Sequence, residues 1–231
     1  MQKILIIIPS YNESENIIKL IDALFAENLG VDILVVDDSS DNTADLVRDK
    51  QIGEDRLFLI KRSKKSGRGT AVLEGFEFGL SGKYEFIAEM DADFSHDPRE
   101  FKSLVAVAEE NALVIGSRYL KKSKVVGCSF VRRIFSRFAN SYANIVLGIG
   151  IHDYTNGYRV YGRKALEKLD VNKIKGSGYM VLSEISYQLY KNGVKFIEVP
   201  TTFVNRKRGA SNFSMKEVKE AFVSILRIRF S

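Results

Sequence analysis

Lys3–Ile8 is an unbroken, mainly aliphatic run that stops at a polar segment, Pro9-Ser10-Tyr11-Asn12-Glu13. A strand that is apolar on both faces must be covered on both, which is the mark of a parallel sheet between layers of helices. The same figure repeats along the first half of the chain. Val31–Val36 stops at Asp37-Asp38-Ser39-Ser40, Leu57–Ile60 leads into a basic loop, Glu85–Met90 stops at Asp91-Ala92-Asp93, and Ala112–Gly116 forms a fifth short run. Helical patterns fall between these runs: Ile17, Ile21 and Leu24 on one face, then Thr43–Lys50, Thr70–Leu80, and a helix opened by Asp97 as cap and Pro98 as first residue. Asn12 with Glu15 has the form of a capping box for the first of them. This alternation predicts an α/β fold with a mostly parallel central sheet flanked by helices. The second half is less regular, with helices over Phe130–Leu147, Val181–Lys191 and Met215–Ile228 and strands over Tyr158–Tyr161 and Lys195–Val199. No repeat, low-complexity tract or Pro/Gly/Ser-rich linker interrupts residues 1–231, which are expected to form one domain.

Composition excludes several classes. With 45% apolar and 28% charged residues the chain is neither disordered nor fibrous, and 231 residues can bury a full core without covalent staples. Cys128 is the only cysteine, so an intrachain disulfide and a Cys-based zinc site are out, and a reducing compartment fits. Two histidines leave carboxylates as the natural metal ligands. No run reaches the ~20 apolar residues that span a bilayer, and Ile4–Ile8 is too short for a signal sequence. The net charge of +6 is compatible with anionic partners but selects none of them.

In open α/β sheets ligands bind beyond the carboxyl ends of the strands. Three of those ends carry polar clusters here: Pro9–Glu13, Asp37–Ser40 and Asp91–Asp93. One such cluster reads equally well as a cap for the next helix, but three on one edge argue for a site. Asp91 and Asp93 are the sharpest signal. Two carboxylates at one strand tip repel unless a cation or hydrogen bonds stabilise them. A hard divalent ion held by few carboxylates completes its shell with water and substrate phosphates. Gly67-Arg68-Gly69-Thr70 opens a helix and reads either as a phosphate-touching loop or as an ordinary solvated one. Arg132, Ser136 and Asn140 recur at four-residue spacing on one helix face among Phe130, Ile134 and Phe135, where a charge needs a partner. Arg206, Lys207 and Arg208 form a second basic cluster.

Taken together these motifs resemble the family-2 inverting glycosyltransferases of GT-A fold, and within them the dolichyl-phosphate mannose synthases and related polyprenyl-phosphate glycosyltransferases. The resemblance rests on Pro9–Glu13, Val36–Ser40, Gly67–Ala71, Asp91–His96, Gly116–Tyr119, the Arg132 and Ser136 pair, Asp153–Arg159 and Arg206–Ser211. It implies that Pro9, Tyr11, Glu13 and Asp38 hold the nucleoside of a nucleotide-sugar donor. Asp91, Ala92 and Asp93 would meet its diphosphate, with Asp91, Asp93 and Ser95 at a Mg²⁺ or Mn²⁺ ion. Arg118 would contact the donor and act with Asp93 in catalysis, and Arg132, Ser136 and Arg206 would bind the phosphate of a dolichyl or polyprenyl monophosphate acceptor. The family's Gly-x-Ser-Lys pattern reads Gly209-Ala210-Ser211-Asn212 here, so one phosphate-binding cation is missing.

The implied reaction is inverting transfer of a hexose, mannose from GDP-mannose, to a polyprenyl phosphate. UDP-glucose is the alternative donor within the same class. Because the acceptor is a lipid, the enzyme is expected to be cytoplasmic and peripheral on the cytoplasmic face of a membrane. The helix over Phe130–Leu147 is one candidate contact; Met215–Phe230 either lies at the interface or docks on the sheet. A basic nucleic-acid-binding domain is the competing reading from a different class, and the acidic sheet edge argues against it and against a nucleic-acid partner.

Overall fold

The computed structural model describes residues 3–176, 178–205 and 215–230, with the side chains of the last helix from Phe222 onward. In chain order the elements are β1 (Ile4–Ser10), α1 (Ile17–Ala26), β2 (Val31–Asp37), α2 (Thr43–Gln51), β3 (Leu57–Lys61), α3 (Arg68–Ser81), β4 (Phe86–Glu89), α4 (Phe101–Val105), β5 (Ala112–Ser117), β6 (Lys124–Val126), α5 (Phe130–Leu147), β7 (Arg159–Gly162), α6 (Arg163–Leu166), α7 (Met180–Lys191), β8 (Lys195–Pro200), β9 (Thr202–Val204) and α8 (Met215–Phe230). Seven strands make the main sheet in the order β3-β2-β1-β4-β7-β5-β8. All of its pairings are parallel except those of β7, which runs antiparallel to both β4 and β5. The mostly parallel α/β sheet expected from the aliphatic runs is therefore present.

The period of two along β1 divides the core. Leu5 and Ile7 join Leu34, Val36, Phe76 and Tyr161 on one face, and Ile4, Ile6 and Ile8 join Ile33, Val35, Ala88 and Val160 on the other. Both faces are covered, as such a run requires. Burying a side chain of this size is worth ~1.5–3 kcal/mol, so the two layers hold the strand tips in register.

The expected capping box is not formed. Asn12 adopts a left-handed conformation (φ 56°), and Asn16, not Asn12, precedes α1. Asn12 instead ties two strand ends together: its N–H donates to Ser39 Oγ (2.8 Å), and its Oδ1 accepts from Ser40 N–H (3.0 Å). By contrast, Asp97 does cap the turn at Pro98, accepting from Arg99 N–H (3.0 Å). The helix at Thr70 starts two residues early, at Arg68, after Gly67 with φ +95°. The three-residue strands β6 and β9 pair in parallel as a second small sheet that sequence reading did not anticipate.

α8 packs against α5 and α7, with Ile225 and Ile228 buried and Phe222 against Tyr142 (ring centroids 4.4 Å apart). Of the two readings of this helix, docking is the one observed, but on α5 and α7 rather than on the sheet. No described helix is long and apolar enough to cross a membrane.

Candidate functional site

The carboxyl ends of β1, β2 and β4 lie side by side, because these strands are parallel neighbours. Their following loops line a cleft of about 260 Å³. Pro9, Tyr11, Glu13, Asp38, Asp91, Ala92 and Asp93 all face it, so every residue assigned to the donor except Arg118 is brought to one place. Arg68, from the loop that the sequence offered as either phosphate-touching or solvated, lines it too, as do Lys65 and Tyr179, which sequence reading did not single out.

The two aspartates that follow β2 divide their work. Asp37 is fully buried and joins three strand ends, accepting from Ser10 Oγ (2.6 Å), Ser39 Oγ (2.5 Å) and Lys61 Nζ (2.8 Å). Asp38 faces the cleft. Arg62 forks onto it through Nε (2.5 Å) and Nη2 (2.6 Å), and the N–H groups of Ser66 and Gly67 donate to it (3.0 and 3.2 Å). Burial works against its ionisation, and Arg62 with these two N–H groups more than offsets that, holding Asp38 below the ordinary carboxylate range. The basic loop after β3 is thereby fastened over the cleft, with Lys65 Nζ lying 3.6 Å from the centre of the Tyr11 ring.

At the tip of β4, Asp91 accepts from Arg68 Nε (2.7 Å). Burial opposes the Asp91 charge, and the Arg68 guanidinium beside it reverses the effect, so this carboxyl also lies below its ordinary range. Arg68 Nη2 meanwhile donates to Glu89 (2.9 Å), a fully buried carboxylate that also accepts from Tyr161 Oη (2.6 Å). Asp93 accepts from the Ser95 N–H (2.9 Å). Ser95 itself is buried and is not among the residues lining the cleft; what it gives Asp93 is a backbone hydrogen bond. Behind this loop His96 stacks on Tyr158 (4.7 Å), and burial pushes its pKa down.

Asp91 and Asp93 thus supply hard carboxylate oxygens to one cleft, a donor set that suits Mg²⁺ or Mn²⁺. Among the described residues no three His, Cys, Asp or Glu side chains converge to cage an ion. The residues therefore fit a metal that shares its shell with water and a bound diphosphate, rather than a closed protein site.

Arg118 stands beside the cleft, held in place by other residues. Its Nε and Nη2 grip the fully buried Asp153 (2.8 and 2.7 Å), and Nη2 also donates to Thr155 Oγ1 (2.8 Å). Burial disfavours its charge, and Asp153 more than compensates, so the guanidinium stays protonated. Next to it, Tyr119 hydrogen-bonds Ser136 of α5. One turn earlier on α5, the exposed Arg132 donates from Nη1 to Asn205 (3.0 Å). Tyr119 thus ties Arg118, its neighbour in the chain, to the helix that carries Ser136 and Arg132. Asn140, the third residue of the expected face, turns inward and accepts from the Tyr154 N–H (2.7 Å). Arg206 lies outside the described residues, as does the Asn212 departure.

Residues 5–170 match the model of the family described as glycosyl transferase family 2. The chain belongs to that family. Among its relatives, polyprenol monophosphomannose synthase of Mycolicibacterium smegmatis is 39% identical over 97% of this chain and 86% of its own length. Undecaprenyl-phosphate mannosyltransferase of Micrococcus luteus is 35% identical over 97% of this chain and 93% of its own. Solved structures share the fold. Glucosyl-3-phosphoglycerate synthase of Mycobacterium tuberculosis, with Mn²⁺, UDP and product, superposes with a TM-score of 0.69 at 19% identity, covering 99% of this chain and 80% of that one. A mannosyltransferase of Pyrobaculum calidifontis with GDP-mannose and Mn²⁺ gives 0.60 at 18% identity, covering 89% and 58%. At these identities the likeness is one of fold, and the fold is that of GT-A glycosyltransferases.

Proposed function

We propose that this enzyme transfers mannose from GDP-mannose to a polyprenyl monophosphate, with inversion at the anomeric carbon. The observation that carries the reading is near full-length similarity to two polyprenyl-phosphate mannosyltransferases, in a chain whose donor motifs share one cleft. Pro9, Tyr11, Glu13 and Asp38 would take the nucleoside, and Asp91 and Asp93 the diphosphate end of the donor. When bound there, Mg²⁺ or Mn²⁺ supplies charge that stabilises the departing nucleoside diphosphate.

The nucleophile is an oxygen of the acceptor phosphate. With a second pKa near ~6 it is largely ionised at neutral pH and needs no general base. That oxygen forms a bond to C1 of the sugar as the bond from C1 to the β-phosphate oxygen breaks. Attack from the opposite face inverts C1, and GDP leaves with the electron pair. The reaction brings two anions together, so cations are what the protein must provide. Arg118, locked by Asp153, would lower the repulsion between donor and acceptor. Arg132, Ser136 and Arg206 would seat the acceptor phosphate.

α5 supports a lipid acceptor. Its outer surface exposes Phe130 (76%), Phe138 (59%) and Ile145 (82%) together with Val131 and Ile134, interleaved with Arg132, Arg133 and Arg137. Val223, Leu226 and Phe230 of the adjoining α8 continue the apolar surface. An apolar patch studded with arginines is suited to the headgroup region of an anionic leaflet. The protein would then act as a peripheral enzyme on the cytoplasmic face.

The test is a transfer assay with a short polyprenyl phosphate, Mn²⁺ or Mg²⁺, and GDP-mannose and UDP-glucose in parallel. Lipid-linked mannose from GDP-mannose alone is the expected result. Product from UDP-glucose instead would overturn the donor assignment, and no lipid-linked product from either would overturn the acceptor.

A further inference from the structure

Arg68 is cationic, largely enclosed and incompletely satisfied. Its Nε and Nη2 serve Asp91 and Glu89, but Nη1 is shut off from solvent with no hydrogen-bond partner. An enclosed N–H of a charged group without an acceptor costs free energy, and such orphans need a reason. The residue lines the cleft alongside Asp93 and Tyr179, with its guanidinium 5.5 Å from the centre of the Tyr179 ring.

The surroundings are built to hold this guanidinium. The fully buried Glu89 is anchored from its other side by Tyr161, so the ion pair cannot swing out without stranding a carboxylate. Gly157 provides the room: a Cβ there would collide with Arg68 Nη2 and come within 3.2 Å of Asp91 Oδ1. Fixed donors aimed at an anion bind it without reorganising on arrival. A guanidinium is the side chain that matches phosphate oxygens in this way.

We infer that Arg68 is a donor-binding residue whose Nη1 donates to a phosphate oxygen of the nucleoside diphosphate, on the protein side of the Asp91 carboxylate. The inference rests on the proposed donor cleft and adds to it a cation carried by the chain itself. Asp91 then has two tasks, since the carboxylate assigned to the metal also aims the arginine. Removing Arg68 should weaken recognition of the diphosphate while leaving recognition of the nucleoside unchanged.

The experiment measures GDP and UDP binding by calorimetry at saturating Mn²⁺, and guanosine and uridine binding by ligand-observed NMR, for the wild type, Arg68→Met and Gly157→Ala. Arg68→Met should lower affinity for whichever diphosphate binds by about 10- to 100-fold, the span of a charge-assisted hydrogen bond, with nucleoside affinity unchanged. Gly157→Ala retains the charge but displaces the guanidinium, and should show the same split at several-fold. Unchanged diphosphate affinity in folded Arg68→Met overturns the inference. An equal loss for diphosphate and nucleoside also overturns it, because that marks mere structural support. If Arg68→Met does not fold, Gly157→Ala decides by the same two criteria. A wild type that binds neither diphosphate defeats the donor-cleft reading itself, and so separates that failure from this one.

Discussion

The proposed donor cleft and the outer surface of α5 hold their charges in opposite ways. In the cleft the charges are enclosed and mutually committed: Asp38 to Arg62, Asp91 to Arg68, and Arg118 beside them to Asp153. On α5 the arginines stand in solvent among exposed phenylalanines, and among the described residues the Arg132 side chain donates to a neutral amide. An enclosed charge is costly without its partner, so the cleft is pre-arranged and rigid. An exposed arginine costs little and gains little until a membrane or a phosphate lowers the dielectric around it. On the proposed function, one half of the enzyme is built before its substrate arrives, and the other is completed by it.

That contrast can be tested, starting with the largest expected effect. Asp93→Ala should cut transfer by at least about 10³-fold, on the scale of losing oriented charge stabilisation in an enclosed site. Full activity in a steady-state assay of this variant would sink the metal-site reading. Arg118→Ala strands the buried Asp153 and should destabilise the fold by ~3–5 kcal/mol, read as a shift of the urea midpoint. A midpoint within error of the wild type would mean that the cleft is not pre-arranged as described.

The same pair makes a pH prediction. Burial raises the Asp153 pKa, but Arg118 outweighs burial and the folded value is depressed below 3.8. A depressed folded pKa gives stability that is present above the unfolded pKa and lost as pH falls through the folded one. Acid titration followed by circular dichroism should therefore show wild-type stability falling away below about pH 4, with a shallower fall in Arg118→Ala.

Effects on the α5 side should be smaller and confined to the lipid. Replacing Phe130 by Asp should reduce flotation with anionic vesicles by about 10- to 100-fold, given ~1.5–3 kcal/mol for one buried phenyl ring. GDP binding should be unaffected. Arg132→Gln should raise KM for the polyprenyl phosphate by only about 3- to 10-fold, with kcat and nucleotide affinity unchanged. If Arg132→Gln impaired nucleotide binding as strongly as acceptor use, the division between the two halves would fail.

The two halves also differed in how much could be read from the chain. Asp38, Asp91 and Asp93 were legible because they stand just past the ends of buried aliphatic runs, and parallel strands bring their carboxyl ends to one edge. Arg68 was visible only as part of a Gly-Arg-Gly helix start, which occurs as readily in solvated loops; Tyr179, more than a hundred residues beyond it, carried no signal at all. The three-residue strands β6 and β9 escaped notice because they are short, have no buried residue and pair across a long stretch of chain, so neither shows an apolar period. Asn12 read as a helix cap because its type and its spacing to Glu15 fit. The structure makes it a clamp between the ends of β1 and β2, a use that requires knowing which strands are neighbours.

By itself, then, the sequence determined the layering, the direction of most strands and the edge where the donor motifs gather. These follow from local hydrophobic period and from residues adjoining strand ends. Only the tertiary structure decided which charges are paired, that Ser95 is buried with its N–H on Asp93, and that α8 docks on α5 and α7. Ion pairing and helix docking depend on distance between segments far apart in the chain, and a one-dimensional pattern records what a residue is, not what it meets.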